Sequence, residues 1–121
     1  MTEIINPRHY DLENRTLEYA RQVRVFIKKL PRTIANIEDG KQVVRSSGSI
    51  GANYIEANEA LSKKDFIMRI KISRKETKET EYWLQLIDDY GKNDLDNERR
   101  KLIQEATELR KIFGSILEKS K

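Results

Sequence analysis

The sequence contains no cysteine and only one histidine, His9. Without cysteine the chain has no disulfide and no thiolate chemistry, and cysteine-ligated zinc or iron–sulfur clusters are excluded. A di-iron helical bundle needs Glu-x-x-His pairs on two helices, which one histidine cannot supply. A Ser-His-Asp triad is disfavoured too, because the serines at 46, 47 and 49 are far in sequence from His9. We expect His9 to be a surface residue that precedes the first helix.

Long apolar runs are also missing. No stretch approaches the roughly 18 apolar residues that cross a bilayer. The opening MTEIINPRHY lacks the basic start and apolar run of a secretory signal. We therefore expect a cytoplasmic protein that does not associate with membranes.

Proline and glycine are scarce, whereas charge is abundant. The 121 residues include two prolines, five glycines and 36% charged residues, with a net charge of +4. This composition is typical of long helices with solvated faces, and the length suits one core. The sequence predicts one all-α domain over residues 1–121, and its basic balance permits attraction to nucleic acid.

Four segments have helical periodicity, and short connections favour an antiparallel, up-down-up-down four-helix bundle. Pro7 and Pro31 bracket the first segment. The second runs to Leu61, with Thr33 or Asn36 as its N-cap, and Ser62 caps a third segment of about 27 residues that would span about 40 Å. Gly91 is predicted as the C-terminal cap of the third helix, and the caps offered to the fourth are Asn93, Asp94 and Asp96.

The stretch GSIG at residues 48–51 could be a phosphate-binding loop or a thinned helix. It matches the GxxG of a KH domain, but the strands of that fold are missing, and the Walker A and dinucleotide motifs are incomplete. One helical stripe instead contains Gly40, Val44, Ser47, Gly51, Ile55 and Asn58. Each glycine costs a helix about 1 kcal/mol relative to alanine, so a close helix approach would compensate. We predict a helix here.

The third helix has more apolar surface than one core needs. Beside its core-facing stripe it carries a second apolar face that includes the only tryptophan. Exposed aromatic faces are typical of protein interfaces, so the pattern predicts a homo-oligomer. The candidate interface residues are Ile72, Trp83, Leu86, Tyr90, Gly48 and Gly51. The alternative is that Trp83 caps one end of the core.

Two polar patterns suggest chemistry. Arg45, Ser49, Asn53 and Glu56 share one side of the second helix, which favours a hydrogen-bond network over an enzymatic site. No general acid and base pair stands out, so we expect no enzyme, no metal and no cofactor. Basic stripes on the first and third helices suit the phosphate backbone of RNA or DNA, and their residues are Arg21, Arg24, Lys28, Lys64, Lys71, Lys75 and Lys78. The alternative is a protein-interaction adaptor whose basic stripes are solvated faces.

The segment VVRSSGSIGANYIEANEALSKKDFIMRIKISRKETKETEYWLQLI, residues 43–87, resembles the four-helix bundle proteins encoded in intervening sequences of bacterial 23S rRNA genes. The most specific pieces are Arg45-Ser46, Ser49-Ile50, Ala52-Asn53, Glu56-Ala57, Ser62 to Phe66 and Glu79 to Leu84. The resemblance covers most of the chain.

This resemblance implies a ring-like pentamer. A related protein, the accessory variability determinant of diversity-generating retroelements, forms a basic pentamer that binds nucleic acid and a reverse transcriptase. RNA, DNA, a reverse transcriptase or another protein are thus the implied partners. With 24 basic and 20 acidic residues, this chain is less basic than those retroelement proteins.

Overall fold

The protein folds into helices joined by short connections, in a computed structural model that describes residues 7–121, with side chains from residue 12 onward. The four helices are α1 (Pro7–Lys28), α2 (Ile34–Asn58), α3 (Lys63–Leu86) and α4 (Asn93–Lys119). No strand occurs among these residues. The predicted all-α class is confirmed.

Side-chain caps start the two central helices where the sequence predicts them. The Thr33 hydroxyl accepts a hydrogen bond from the backbone N–H of Asn36 at 3.1 Å. Ser62 does the same for Asp65, also at 3.1 Å. Each cap satisfies a backbone donor that the first helical turn leaves unpaired. Of the two candidates for α2, Thr33 is therefore the cap.

The predicted starts of the outer helices need correction. The helix α1 begins at Pro7, so His9 lies within it and not before it, and its side chain is outside the described residues. The N-cap of α4 is Lys92, which makes no side-chain capping bond. The predicted caps Asp94 and Asp96 lie in the first turn instead, where carboxylates stabilise the positive end of the helix dipole. Asn93 is the first helical residue.

The third helix is shorter than predicted, with 24 residues, and Gly91 is not its C-cap. It ends at Leu86, and Ile87 is already extended. Other hydrogen bonds replace those of the helix: the Asn36 side chain binds the backbone of Asp88, and the carboxylates of Asp88 and Asp89 accept bonds from the N–H groups of Tyr90 and Gly91, at 2.8 and 2.9 Å. Such bonds offer the backbone an alternative to the helix. Gly91 serves the turn, where its φ is +71°.

Sequential helices are antiparallel. On α1 and α2, Ile27 lies against Gly40 and Thr16 against Gly51, so the two helices run in opposite directions. The chain closes through α1 and α4, where Lys29 pairs with Glu98 and Arg15 with Glu105. Within the described residues, the backbones of α1 and α3 are not adjacent, nor are those of α2 and α4. The topology is that of an up-down-up-down bundle.

The glycine-bearing stretch of α2 is helical throughout, as predicted. Gly51 is buried against α1, and a Cβ at this position would lie 2.7 Å from Thr16 Oγ1. Buried polar groups in the core find partners: the Tyr19 hydroxyl donates to the Leu102 carbonyl of α4 at 2.8 Å, and the hydroxyls of Ser46 and Thr80 share a hydrogen bond at 2.7 Å. Burial raises the pKa of Tyr19, which keeps this phenol neutral and able to donate.

Candidate nucleic-acid interface

A groove between α3 and α4 is lined almost entirely by cations. Its volume is about 590 Å³. We call it the basic groove, and its lining residues are Lys71, Arg74, Lys75, Lys78, Arg110, Lys111 and Gly114. Three of the predicted nucleic-acid residues, Lys71, Lys75 and Lys78, are thus brought together with cations from a second helix.

Helical spacing places the α3 cations on one wall. Lys71, Arg74, Lys75 and Lys78 follow one another at steps of three, one and three residues, which puts their side chains on one side of the helix. Gly114 lies on α4, and a Cβ added there would meet nothing within 4 Å. The groove is therefore open above Gly114.

Three of the four acidic residues of α3, Glu76, Glu79 and Glu81, are paired with arginines. Glu76 and Glu79 lie on the side facing α2, where Arg45 contacts them at 3.5 and 2.9 Å. Glu81 pairs with Arg110 at 2.8 Å. Among the described residues, no ion pair involves Lys71, Arg74, Lys75, Lys78 or Lys111. The positive charge of the basic groove is mostly uncompensated.

This charge arrangement weakens the helix that carries it. Lys71 is separated by three and four residues from Arg74 and Lys75, and both of those stand in the same relation to Lys78. Each like-charge pair at such spacing costs a helix about 0.2–0.5 kcal/mol. Packing offers no compensation, because these side chains are exposed. Helix stability therefore does not account for the clustering.

The basic groove continues toward the start of α3. A second, more apolar groove is lined by Lys63, Lys64, Ile67, Met68 and Lys71. It shares Lys71 with the basic groove. The predicted residue Lys64 therefore extends the same exposed strip.

The α1 cations form a separate surface. Arg21, Arg24 and Lys28 are exposed, but the backbone of α1 is not adjacent to that of α3 in the described part of the chain. Arg21 lies 3.9 Å from Glu18, and Arg24 donates to the Ala20 carbonyl at 2.9 Å. Within one protomer the two predicted basic stripes do not join.

Sequence reasoning missed three cations of the basic groove. Arg74 could have been found, because it shares the helical face of Lys71 and Lys78. Arg110 and Lys111 gave no such signal, since only the packing of α4 beside α3 brings them to the groove.

The residues of the predicted polar network do not form one cluster, because Arg45 and Asn53 contact different residues of α3. Arg45 binds the two glutamates already described, and the Asn53 amide donates to the Ser49 carbonyl at 2.9 Å and to its hydroxyl at 3.1 Å. Arg69 of α3 donates to Asn53 at 3.1 Å. The side chain of Glu56 is exposed and has no hydrogen bond or ion pair to any described residue. The group ties α2 to α3 without Glu56.

The candidate interface residues differ in accessibility. Gly51 is buried against α1, so its lack of a side chain allows close packing within the same protomer and not between protomers. Gly48 lies beside Arg24. Ile72 and Trp83 are half-buried. Leu86 and Tyr90 are 48% and 56% exposed. Part of the second apolar face therefore remains uncovered in the single chain.

The described residues form neither a membrane span nor a metal-binding cluster. None of their helices is both long and apolar enough to span a membrane. Their Asp and Glu side chains form no group of three or more that could hold a metal ion.

Comparison with known proteins identifies the family of this chain and a solved structure with a similar fold. The chain matches the 23S rRNA-intervening sequence protein family over residues 8–115. It is similar to a crystal structure from Bacteroides thetaiotaomicron, described as a protein with unknown function from the S23 ribosomal protein family, with 32% sequence identity and a TM-score of 0.77. That match covers 91% of this chain and 97% of the other. No curated protein is significantly similar. The chain therefore belongs to the 23S rRNA-intervening sequence protein family.

Proposed function

We propose that this protein is a non-enzymatic binder of RNA or DNA that holds the phosphate backbone in its basic groove without reading sequence. The observation that carries the proposal is the set of unpaired cations on facing helices, Lys71, Arg74, Lys75, Lys78 and Lys111. Lysine and arginine bound to phosphates release counterions, which supplies affinity independent of sequence. Because Glu76, Glu79 and Glu81 are each paired with an arginine, their repulsion of a polyanion at this surface is reduced.

Removing charge from the basic groove tests this function. We expect the triple variant Lys71→Gln, Lys75→Gln, Lys78→Gln to bind single-stranded nucleic acid about 100-fold more weakly at about 0.1 M salt. The same change should reduce the slope of log affinity against log salt by about 2, because each phosphate contact contributes about 0.7. Fluorescence anisotropy across a salt series measures both quantities.

The matched control removes the same charge from α1. The variant Arg21→Gln, Arg24→Gln, Lys28→Gln takes three exposed cations from a surface that α3 does not reach. We expect a much smaller loss of affinity from it. If both triple variants lose equal affinity, net charge and not the basic groove governs binding. Wild-type affinity that ignores salt would contradict the proposal and favour the adaptor alternative.

Self-association is the second part of the proposal, with a pentamer as the assembly that family resemblance implies. It is supported by the apolar side chains that one protomer leaves uncovered, including Leu86 and Tyr90. Burying such surface in a copy of the chain is favourable by about 25 cal/mol per Å². A ring would also place several basic grooves on one particle, which would strengthen binding to a long polyanion.

Leu86→Arg is expected to lower the molecular mass of the assembly, because a charge at an apolar interface is costly to bury. Sedimentation velocity measures the mass. The control is Leu61→Arg, since Leu61 is 100% exposed in the connection between α2 and α3 and is not a predicted interface residue. A wild-type monomer at micromolar concentration, or an intact assembly of Leu86→Arg, would contradict this part of the proposal.

A further inference from the structure

An exposed tyrosine continues the line of cations along α3. Tyr82 lies four residues after Lys78 and eleven after Lys71, which places it on the same side of the helix, about 16 Å along the axis from Lys71. Tyr82 is 57% exposed. The strip formed by Lys71, Lys75, Lys78 and Tyr82 therefore ends in an accessible aromatic ring.

The ring of Tyr82 is supported from behind. It meets Trp83 edge-on, with ring centroids 5.1 Å apart and an interplanar angle of 76°. Trp83 is itself half-buried against the hydrophobic core. Contact with an anchored neighbour restricts the ring, so a ligand stacking on it loses less conformational entropy. Tyr82 is thus an aromatic surface held in place beside unpaired cations.

We propose that the basic groove takes single-stranded nucleic acid, with a base stacked on Tyr82 and the adjoining phosphates on the α3 lysines. This inference rests on the function proposed above. Bases in a duplex are stacked on one another, whereas unpaired bases present their faces to aromatic side chains. Sites for single strands combine a positive groove with stacking aromatics, and they accept any base because every base has a π-face.

The test compares two probes on the same protein. Fluorescence anisotropy is measured with an oligothymidylate and with an abasic oligomer of equal length and charge. We expect Tyr82→Ala to weaken binding of the oligothymidylate about tenfold, because aromatic stacking contributes about 1–3 kcal/mol per base. Binding of the abasic oligomer should change less than about twofold, since the phosphate contacts remain.

Two control variants separate stacking from other effects. Tyr82→Phe keeps the ring and should bind the oligothymidylate like the wild type. Val25→Ala removes an apolar side chain of similar exposure, 54%, from α1, and should also leave affinity unchanged. Trp83, the only tryptophan, gives a second readout: its emission should change with oligothymidylate and not with the abasic oligomer.

The results of these experiments distinguish failure of stacking on Tyr82 from failure of phosphate binding. If the wild type binds the abasic oligomer or a duplex as tightly as the oligothymidylate, or if Tyr82→Ala weakens both single-stranded probes equally, stacking on Tyr82 is refuted while phosphate binding stands. If no probe binds, both proposals fall.

Discussion

Gly51→Leu is expected to lower the free energy of unfolding by about 3 kcal/mol, because there is no space for a side chain between α2 and α1. Even a Cβ would lie 2.7 Å from Thr16 Oγ1 and 3.1 Å from Thr16 Cβ. Contacts this short force one helix away from the other. Domains of this size are stable by about 5–15 kcal/mol, so the loss is a large fraction of the total.

Urea denaturation followed by circular dichroism measures this loss, and Gly114→Leu is the matched control. Gly114 is also helical, but a Cβ there would meet nothing within 4 Å. Leucine at 114 should therefore be neutral or stabilising by up to about 1 kcal/mol, because glycine is the poorer helix former. Equal destabilisation by the two variants would contradict the assigned role of Gly51.

Relief of the contact gives an independent check. Thr16→Ala removes the hydroxyl that lies closest to the Gly51 position. In a double-mutant cycle, Thr16→Ala should therefore reduce the cost of Gly51→Ala. Strict additivity of the two substitutions would indicate that Gly51 acts through something other than its contact with α1.

Asn36→Asp is expected to cost about 3–5 kcal/mol at neutral pH. Asn36 is buried, and its amide donates to the carbonyls of Pro31 and Asp88, at 3.1 and 2.8 Å. Its carbonyl accepts from the Asp88 N–H at 2.9 Å. One side chain thus ties together two connections at the same end of the bundle. An aspartate has the same shape, but its carboxylate cannot donate and would face two carbonyl oxygens.

The expected loss depends on pH. Burial and the facing carbonyls favour the neutral acid, so the pKa of an aspartate at this position would be raised in the folded protein. Destabilisation by Asn36→Asp should therefore grow as pH rises above about 3.9, the ordinary pKa of aspartate. Asn97→Asp is the control, because Asn97 is exposed on α4. Thermal unfolding of both variants between acidic and neutral pH measures the effect, and similar curves for the two would refute the role of Asn36.

Much of the fold could be predicted because its signals are local. The caps Thr33 and Ser62 act within three residues of themselves, and the glycines of α2 recur with helical period. The end of α3 could not be predicted this way. It depends on Asn36, which is 52 residues from Asp88 in sequence, and on the turn made by Asp88 and Asp89. Gly91 looked like a helix cap because a turn and a C-cap require the same conformation.

The candidate site divides in a similar manner. Periodicity alone brings Lys71, Lys75 and Lys78 to one side of a helix, because side-chain direction follows from the 3.6-residue turn. Whether these charges are neutralised depends on which helix lies beside them. The packing of α2 supplies Arg45 to the acids of α3, and the packing of α4 brings Arg110 and Lys111 to the lysines. The sequence by itself thus determines where the helices form and which side chains share a face, because both depend on residues close together in the chain. Whether the charges are compensated depends on residues far apart in sequence, so only the tertiary structure decides it.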